Sequence, residues 1–397
     1  MGLKGIYSIA FVLLLAACSE PANSSSTPVP QGPVVNSDIV RTPTVLLTLG
    51  EWPKITDDLD LNGMEMAIDR QLVKFAGTQQ GPSIRLGHIT YDFSVFKKSL
   101  QAFLKEIRIT RSCLKTKTFA SDCYEKLEVQ LKQKFHLFSP VVEGQIPETL
   151  FTAYHTPVIK TSLKETKDYN VGIHIKPIES NLRNLTRNQI NFGRRLKGTP
   201  YEAMYMKDMF DQYLLHIQGG GKVIYKDVQG REHSKYLNYD GTNEQPFRFI
   251  SIYMRDQGYI SDLSNESQRN YLNSHPEKIQ EIYNYTPSYV YFKFSDEPPH
   301  GNDSVSLTDN RSIATDYRIY KSKGLITFVK AKRPKKINSG QFINFSRSYI
   351  DHDTGGAIKG AARADLYFGE DDYAAFVATQ LKVHGSMYFL ALKPDLL

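Results

Sequence analysis

Asp351, Asp353 and Asp365 lie close together near the C-terminus, within DHDTGGAIKGAARADLYFG (351–369). A carboxyl acts as a general acid when its surroundings keep the proton on it. Asp365 has such surroundings in ARADLYFG, where apolar and aromatic neighbours lead into a strand and burial would raise its pKa. By residue type alone, a turn-capping aspartate fits this position equally well. The glycines at 355, 356 and 360 permit close backbone approach around the acids. Asp351, His352 and Asp353 are metal-ligand types, but no further ligand follows at a suitable spacing, and the run reads as a solvent loop. The sequence has no Walker loop, no His-Glu-x-x-His and no Gly-x-Ser-x-Gly elbow, and the glycines of HIQGGGKV lack dinucleotide-binding spacing. Neither a metal nor a cofactor is expected.

The chain that must position these residues has 397 of them, enough for two domains and a substantial core. At 41% hydrophobic and 12% aromatic it is a folded protein, and 24 Tyr and 21 Phe against a single Trp point to aromatic-rich β packing. A net charge of +7 suits an acidic partner such as nucleic acid, anionic lipid or peptidoglycan without choosing among them. Met64, Ile68, Leu72 and Phe75 recur at helical spacing, as do Phe96, Leu100, Phe103 and Ile107. In GTPYEAMYMKDMF, Thr199, Pro200 and Glu202 form a helix-start signature. DQYLLHIQGGGKVIYKD reads as strand, glycine turn and strand. QPFRFISIYMRDQG, stopped by Gly258, and SQRNYLNSHPEKIQEIY read as helices. After Pro287 come short strands and turns: SYVYFKF, LITFVKA, GQFINFSRSYI, ADLYFG and MYFLALK, the pattern of a small barrel. KAKRPKK (330–336) reads as a solvated hairpin rather than a nucleic-acid patch.

The N-terminus narrows the setting. MGLKGIYSIAFVLLLAACSE places Lys4 before an apolar run that is too short to persist as a transmembrane helix, and LAAC (15–18) reads as a lipobox. Cys18 would then be the acylated first residue of the mature protein, with Ser19 favouring the outer membrane; an ordinary signal peptide with a stray cysteine is the plainer alternative. Several acyl chains anchor firmly, since each buried methylene contributes about 0.8 kcal/mol. The Ser/Pro/Asn-rich stretch that follows reads as a flexible tether. Cys113 and Cys123 remain as an even pair, expected in an oxidising compartment to close CLKTKTFASDC as a disulfide, with two free thiols as the alternative.

Four segments in order resemble the membrane-bound lytic murein transglycosylase A family: LFTAYHTPV (150–158), DMFDQYLLHIQGGGKV (208–223), YTPSYVYFKF with LTDNRSIATD (307–316), and DTGGAIKGAARADLYFGEDDYA. They cover about two-thirds of the chain, from roughly 140 onward. The departures are Ala153 for a family glycine, Gly220 for the serine of a Gly-Ser-Gly turn, and TPS for Asn-Pro-Ser.

The resemblance implies an α+β, mainly β molecule: a double-psi β-barrel from 44–157 and 291–397, with a smaller β-barrel domain inserted at 158–290. The signal peptide would be 1–17, the tether 18–43, and the glycan would lie in a groove between the barrels. It further implies that Asp365 is the working acid, that Asp353, Asp316 and Lys359 support or bind sugar, and that Thr152, Tyr154, Gln218 and Gly220 line the groove. One carboxylate would suffice because the muramic acid's own C6 hydroxyl attacks C1 and gives a 1,6-anhydro ring, whereas ordinary glycosidases need a second carboxylate. The partner would be peptidoglycan glycan strands at the periplasmic face of the outer membrane, reached through the lipid anchor, with no nucleic acid. Cell-wall synthesis or division proteins are further candidates. A hydrolase using Asp353 as second carboxylate, and a non-catalytic peptidoglycan-binding lipoprotein, are the alternatives.

Overall fold

The computed structural model describes residues 39–78, 81–116, 119–302, 304–321 and 324–396. Cys18 and the expected signal peptide lie outside the described residues. The strands that frame the molecule are β1 (Thr149–Tyr154), β2 (Val158–Lys160), β3 (Val171–His174), β4 (Glu202–Met206), β5 (Gly220–Lys226), β6 (Glu232–Thr242), β7 (Val290–Ser295), β8 (Ser312–Thr315), β9 (Ile326–Pro334), β10 (Phe342–Asp353), β11 (Arg363–Tyr367) and β12 (Lys382–Leu392). The helices used below are α1 (Met64–Ala76), α2 (Phe93–Thr116), α3 (Ala120–Lys134), α4 (Met209–Gln218) and α5 (Asp372–Gln380).

Six strands close into a ring in the order β9-β10-β8-β11-β1-β12, with β12 pairing back on β9. The β8–β10 and β11–β1 pairs are parallel and the other four antiparallel. Closure removes the exposed strand edges. This is the expected double-psi barrel, and its wall is assembled from early and late sequence. Phe151, Ile313, Phe328, Ile350, Leu366 and Phe389 are buried in one core with Leu100, Phe103 and Ile107 of α2 and Met64 and Ile68 of α1. The helical spacings read from the sequence therefore mark the faces that pack on the barrel. Cys113 and Cys123 are joined by a disulfide, with Cα atoms 5.8 Å apart, between the C-terminal part of α2 and the start of α3.

A second ring forms from the sheet β7-β6-β5-β2 and the antiparallel pair β3-β4, which isolated bridges Ser162–Tyr205 and Ile175–Phe292 join to its two edges. Its interior holds Val171, Ile173, Met204, Met206, Val223, Leu237 and Phe292. The last of these strands carries the smaller barrel to Ser295, past residue 290.

Local readings differ from the structure in several places. Within the stretch expected as tether, Ile39–Arg41 pairs in parallel with Ser83–Arg85. The helix-start signature at Thr199 belongs to a turn: Thr199 donates to the Leu196 carbonyl, Glu202 accepts from the Gly198 amide, and strand β4 follows with Met204 and Met206 facing inward. The apolar run read as a strand in DQYLLHIQ is helix α4, capped by Asp208, which accepts from the Asp211 amide at 2.8 Å, and ended by Gly219 in the left-handed region. Short apolar runs do not distinguish strand from helix by period alone. The helix expected over SQRNYLNSHPEKIQEIY breaks at Pro276 into Asn265–Ser274 and Ile279–Asn284, because proline cannot continue the ladder. Helix α5, capped by Asp371, escaped the sequence reading. Lys330–Pro334 belongs to strand β9, and only the rest of KAKRPKK is turn.

Candidate active site

The run Asp351–Asp353 is the end of β10 and not a solvent loop. Asp351 and His352 are fully buried: Asp351 accepts from Thr315 Oγ1 at 2.6 Å, and Ser312 Oγ lies 2.8 Å from His352 Nδ1. Pairing along β8 and β10 steps from Ile313–Asp351 to Ala314–Asp353, so one residue bulges. The step sets Asp353 beside Ala314. Ala314 in turn pairs with Asp365, and Asp365 with Thr152. Asp353, Ala314, Asp365 and Thr152 thus form one row across four adjacent strands. The two carboxylate-bearing residues are two strand spacings apart, about 10 Å at the backbone, with the smallest chiral side chain between them.

This row opens on a cleft of about 680 Å³ between the two barrels. Tyr154, Asp353 and Asp365 contribute from the larger barrel, Gln218, Gly220 and Asn238 from the smaller one. Gly220 lies where β5 meets β6, and a Cβ there would stand 2.7 Å from the Leu237 carbonyl, so the strand contact leaves no room for a serine in this geometry. Thr152 sits behind Asp365 rather than along the cleft. It donates to Asp365 Oδ1 at 2.6 Å and accepts from Arg363 Nη2 at 2.7 Å. Tyr154 donates to Asp353 Oδ2 at 3.0 Å, and the Asn302 amide to Asp353 Oδ1 at 2.9 Å.

Burial pushes the Asp365 carboxyl above the usual carboxylate range; the Thr152 hydrogen bond and Arg363 oppose this, and the Asp353 charge adds to it. Burial, then Asp353 and Asp365, raises Tyr154, which stays a neutral donor. Burial also lowers His155 in the cleft wall, favouring the neutral ring.

Asp316 and Lys359, expected to support the site or bind sugar, are not in the cleft lining. Asp316 is buried beneath the glycine loop, where it pairs with Arg318 at 2.6 Å and accepts from the Gly360 amide at 2.8 Å and the Arg318 amide at 3.0 Å; the Arg318 side-chain hydrogen bond and these amides hold it down to about 2. Lys359 is exposed on the same loop, outside the cleft lining. Arg363 and His155 were missed. The first has no sequence signal beyond alternation with Asp365 on β11, while the second stands in AYHTP beside Tyr154. Among the described residues no group of three or more His, Cys, Asp or Glu is placed to hold a metal ion, and no helix is long and apolar enough to cross a membrane.

Residues 150–293 match the MltA specific insert domain, and residues 311–391 the 3D domain. The membrane-bound lytic murein transglycosylase A of Vibrio cholerae is 27% identical over 250 residues, which are 62% of this chain and 66% of that protein. The structure of E. coli MltA with bound chitohexaose aligns with a TM-score of 0.66 at 18% identity, over 89% of this chain and 95% of that one. A membrane-bound lytic murein transglycosylase from Agrobacterium tumefaciens gives 0.64 at 18% identity, over 88% and 97%.

Proposed function

Because the chain belongs to the membrane-bound lytic murein transglycosylase A family, we propose that it cleaves the β-1,4 bond between N-acetylmuramic acid and N-acetylglucosamine in peptidoglycan. The cleavage would leave 1,6-anhydromuramic acid ends, with Asp365 as acid and then base. The observation that carries this reading is the cleft-facing Asp365 whose burial favours the protonated carboxyl. The acid gives its proton to the glycosidic oxygen as the C1–O bond breaks. The resulting carboxylate takes the C6 hydroxyl proton as that oxygen closes on C1, so the carboxyl ends as it began. An intramolecular nucleophile replaces a bimolecular step. Thr152, held by Arg363, fixes the carboxyl's orientation.

Asp353 favours a second reading, hydrolysis with Asp353 activating water. Its backbone distance from Asp365, about two strand spacings, exceeds the roughly 5 Å carboxyl separation of a double-displacement pair and is nearer that of a water-activating pair. Against it, both Asp353 oxygens already accept hydrogen bonds, from Tyr154 and Asn302. Mass spectrometry of digested sacculi separates the readings: anhydro ends support the first and reducing ends the second. Unchanged sacculi would leave only a glycan-binding protein. Asp365→Asn should cut turnover by about 10³–10⁴ while binding persists, since general acid–base assistance has that order of magnitude; an active, folded variant would reassign the acid. Acylation at Cys18 and outer-membrane attachment are part of the proposal, and processing of Cys18→Ser identical to wild type would remove them.

A further inference from the structure

Murein is a branched polymer, and a short peptide leaves each muramic acid through its lactyl group. A glycan lying in the main cleft must therefore send its peptides out through some opening. A second cleft, of about 440 Å³, runs on from the first and shares its His155 and Gln218 walls. Its floor is apolar, with Val158, Ile159, Met206 and Leu215.

Its charges divide into committed and uncommitted groups. Asp211 pairs with Arg269, Glu370 with Lys222 at 3.0 Å, and Asp371 accepts from the Ala374 amide at 2.7 Å. Lys160, Lys207 and Asp372 are exposed and make no ion pair among the described residues, although Lys207 lies 5.0 Å from the Tyr169 ring centroid. Two free cations and one free anion over an apolar floor complement a peptide with several carboxylates, one ammonium and alanine methyls. At the junction, His155 Nδ1 is buried without a hydrogen-bond partner. A neutral imidazole offers one donor and one acceptor nitrogen, which suits the lactyl amide of a branch point.

We propose that this second cleft is a subsite for the stem peptide of murein, entered at His155, with Lys160 and Lys207 receiving its carboxylates and Asp372 its ammonium. The inference rests on the murein reading of the main cleft and adds to it a preference for peptide-bearing glycan.

The test pairs a binding measurement with a kinetic one. The N-acetylated tetrapeptide acetyl-L-Ala-γ-D-Glu-meso-diaminopimelyl-D-Ala, whose acetyl amide stands in for the lactyl amide, is titrated into the full chain by calorimetry. KM is then compared for peptide-bearing glycan and for glycan stripped of peptide by an amidase. Lys160→Glu/Lys207→Glu should weaken tetrapeptide binding at least tenfold and raise KM for peptide-bearing glycan by a similar factor, with kinetics on stripped glycan unchanged. That last readout also shows that the variant is folded. A wild-type chain that binds no tetrapeptide, or a double variant that binds it equally well, overturns the subsite. If tetrapeptide binds and the double variant loses it while neither glycan is cut, the subsite stands and the cleavage reading falls.

Discussion

Two opposed influences act on Asp365: burial, helped by the Asp353 charge, keeps the proton on, while Thr152 and Arg363 favour the carboxylate. An acid that must also serve as base gains from such a balance, because the ideal pKa lies near the working pH. Thr152→Val removes the hydrogen bond that favours the charged form, so the Asp365 pKa should move up. Under the proposed mechanism the protonated carboxyl starts the reaction, so the alkaline limb of the kcat profile should move to higher pH, with a lower maximum because the carboxyl is no longer oriented. A pH–rate series on both proteins checks this. An alkaline limb that stays in place would mean that the limb reports another group. The direction of the Asp365 shift was legible from its apolar neighbours in ARADLYFG, but the supporting pair was not. Thr152 and Arg363 meet only because β1 and β11 run parallel and in register, and strand pairing is a long-range property that one segment does not carry.

The glycine-rich turn between β10 and β11 is fastened by one buried carboxylate. Asp316 accepts from the Gly360 amide at 2.8 Å, and Gly360 has φ +104, a conformation that side chains rarely adopt. Thr354, at the turn's other end, donates to the Thr315 carbonyl at 2.8 Å. Asp316→Ala should release this turn, which borders the cleft at Gly355, Gly356 and Ile358. The expected result is faster amide hydrogen exchange over 354–360 and a KM raised several-fold, with kcat changed less than in Asp365→Asn. Unaltered exchange there would show that the turn holds itself. At this scale the late strands were legible because their alternation is regular and turns separate them. Helix α4 was misread because QYLLHI has no decisive period, and the buried end of β10 because DHD is polar by type. Its burial is satisfied by Ser312 and Thr315 from the neighbouring strand, partners invisible in the local run.

Across the whole molecule, the segment before 140, which no motif covered, is bound to the barrel through a buried ion pair. Arg311, just ahead of β8, donates to both oxygens of Asp57 at 2.7 and 2.8 Å and to the Asn62 and Ser348 carbonyls, and both partners are almost wholly inaccessible. Burial works against ionisation of Asp57, but Arg311 and the Ser348 amide outweigh it and hold the carboxyl below its usual range. This clamp lies within three residues of Ala314, so it fixes the strand that separates the two cleft aspartates. Removing one partner leaves the other charge buried and alone, a loss of about 3–5 kcal/mol. Asp57→Ala should therefore lower the urea midpoint markedly at pH 7. A carboxyl whose folded pKa lies below its unfolded value of about 3.9 contributes stability above that value and loses it as the pH falls through the folded one. The gap between wild type and variant should accordingly be full at pH 7 and narrow below about pH 4. Urea unfolding curves over pH 3–7 measure it directly. A gap that is small at neutral pH, or constant down to pH 3, would show that the early segment is held to the barrel by its apolar packing through Met64, Ile68 and Leu100 rather than by this pair.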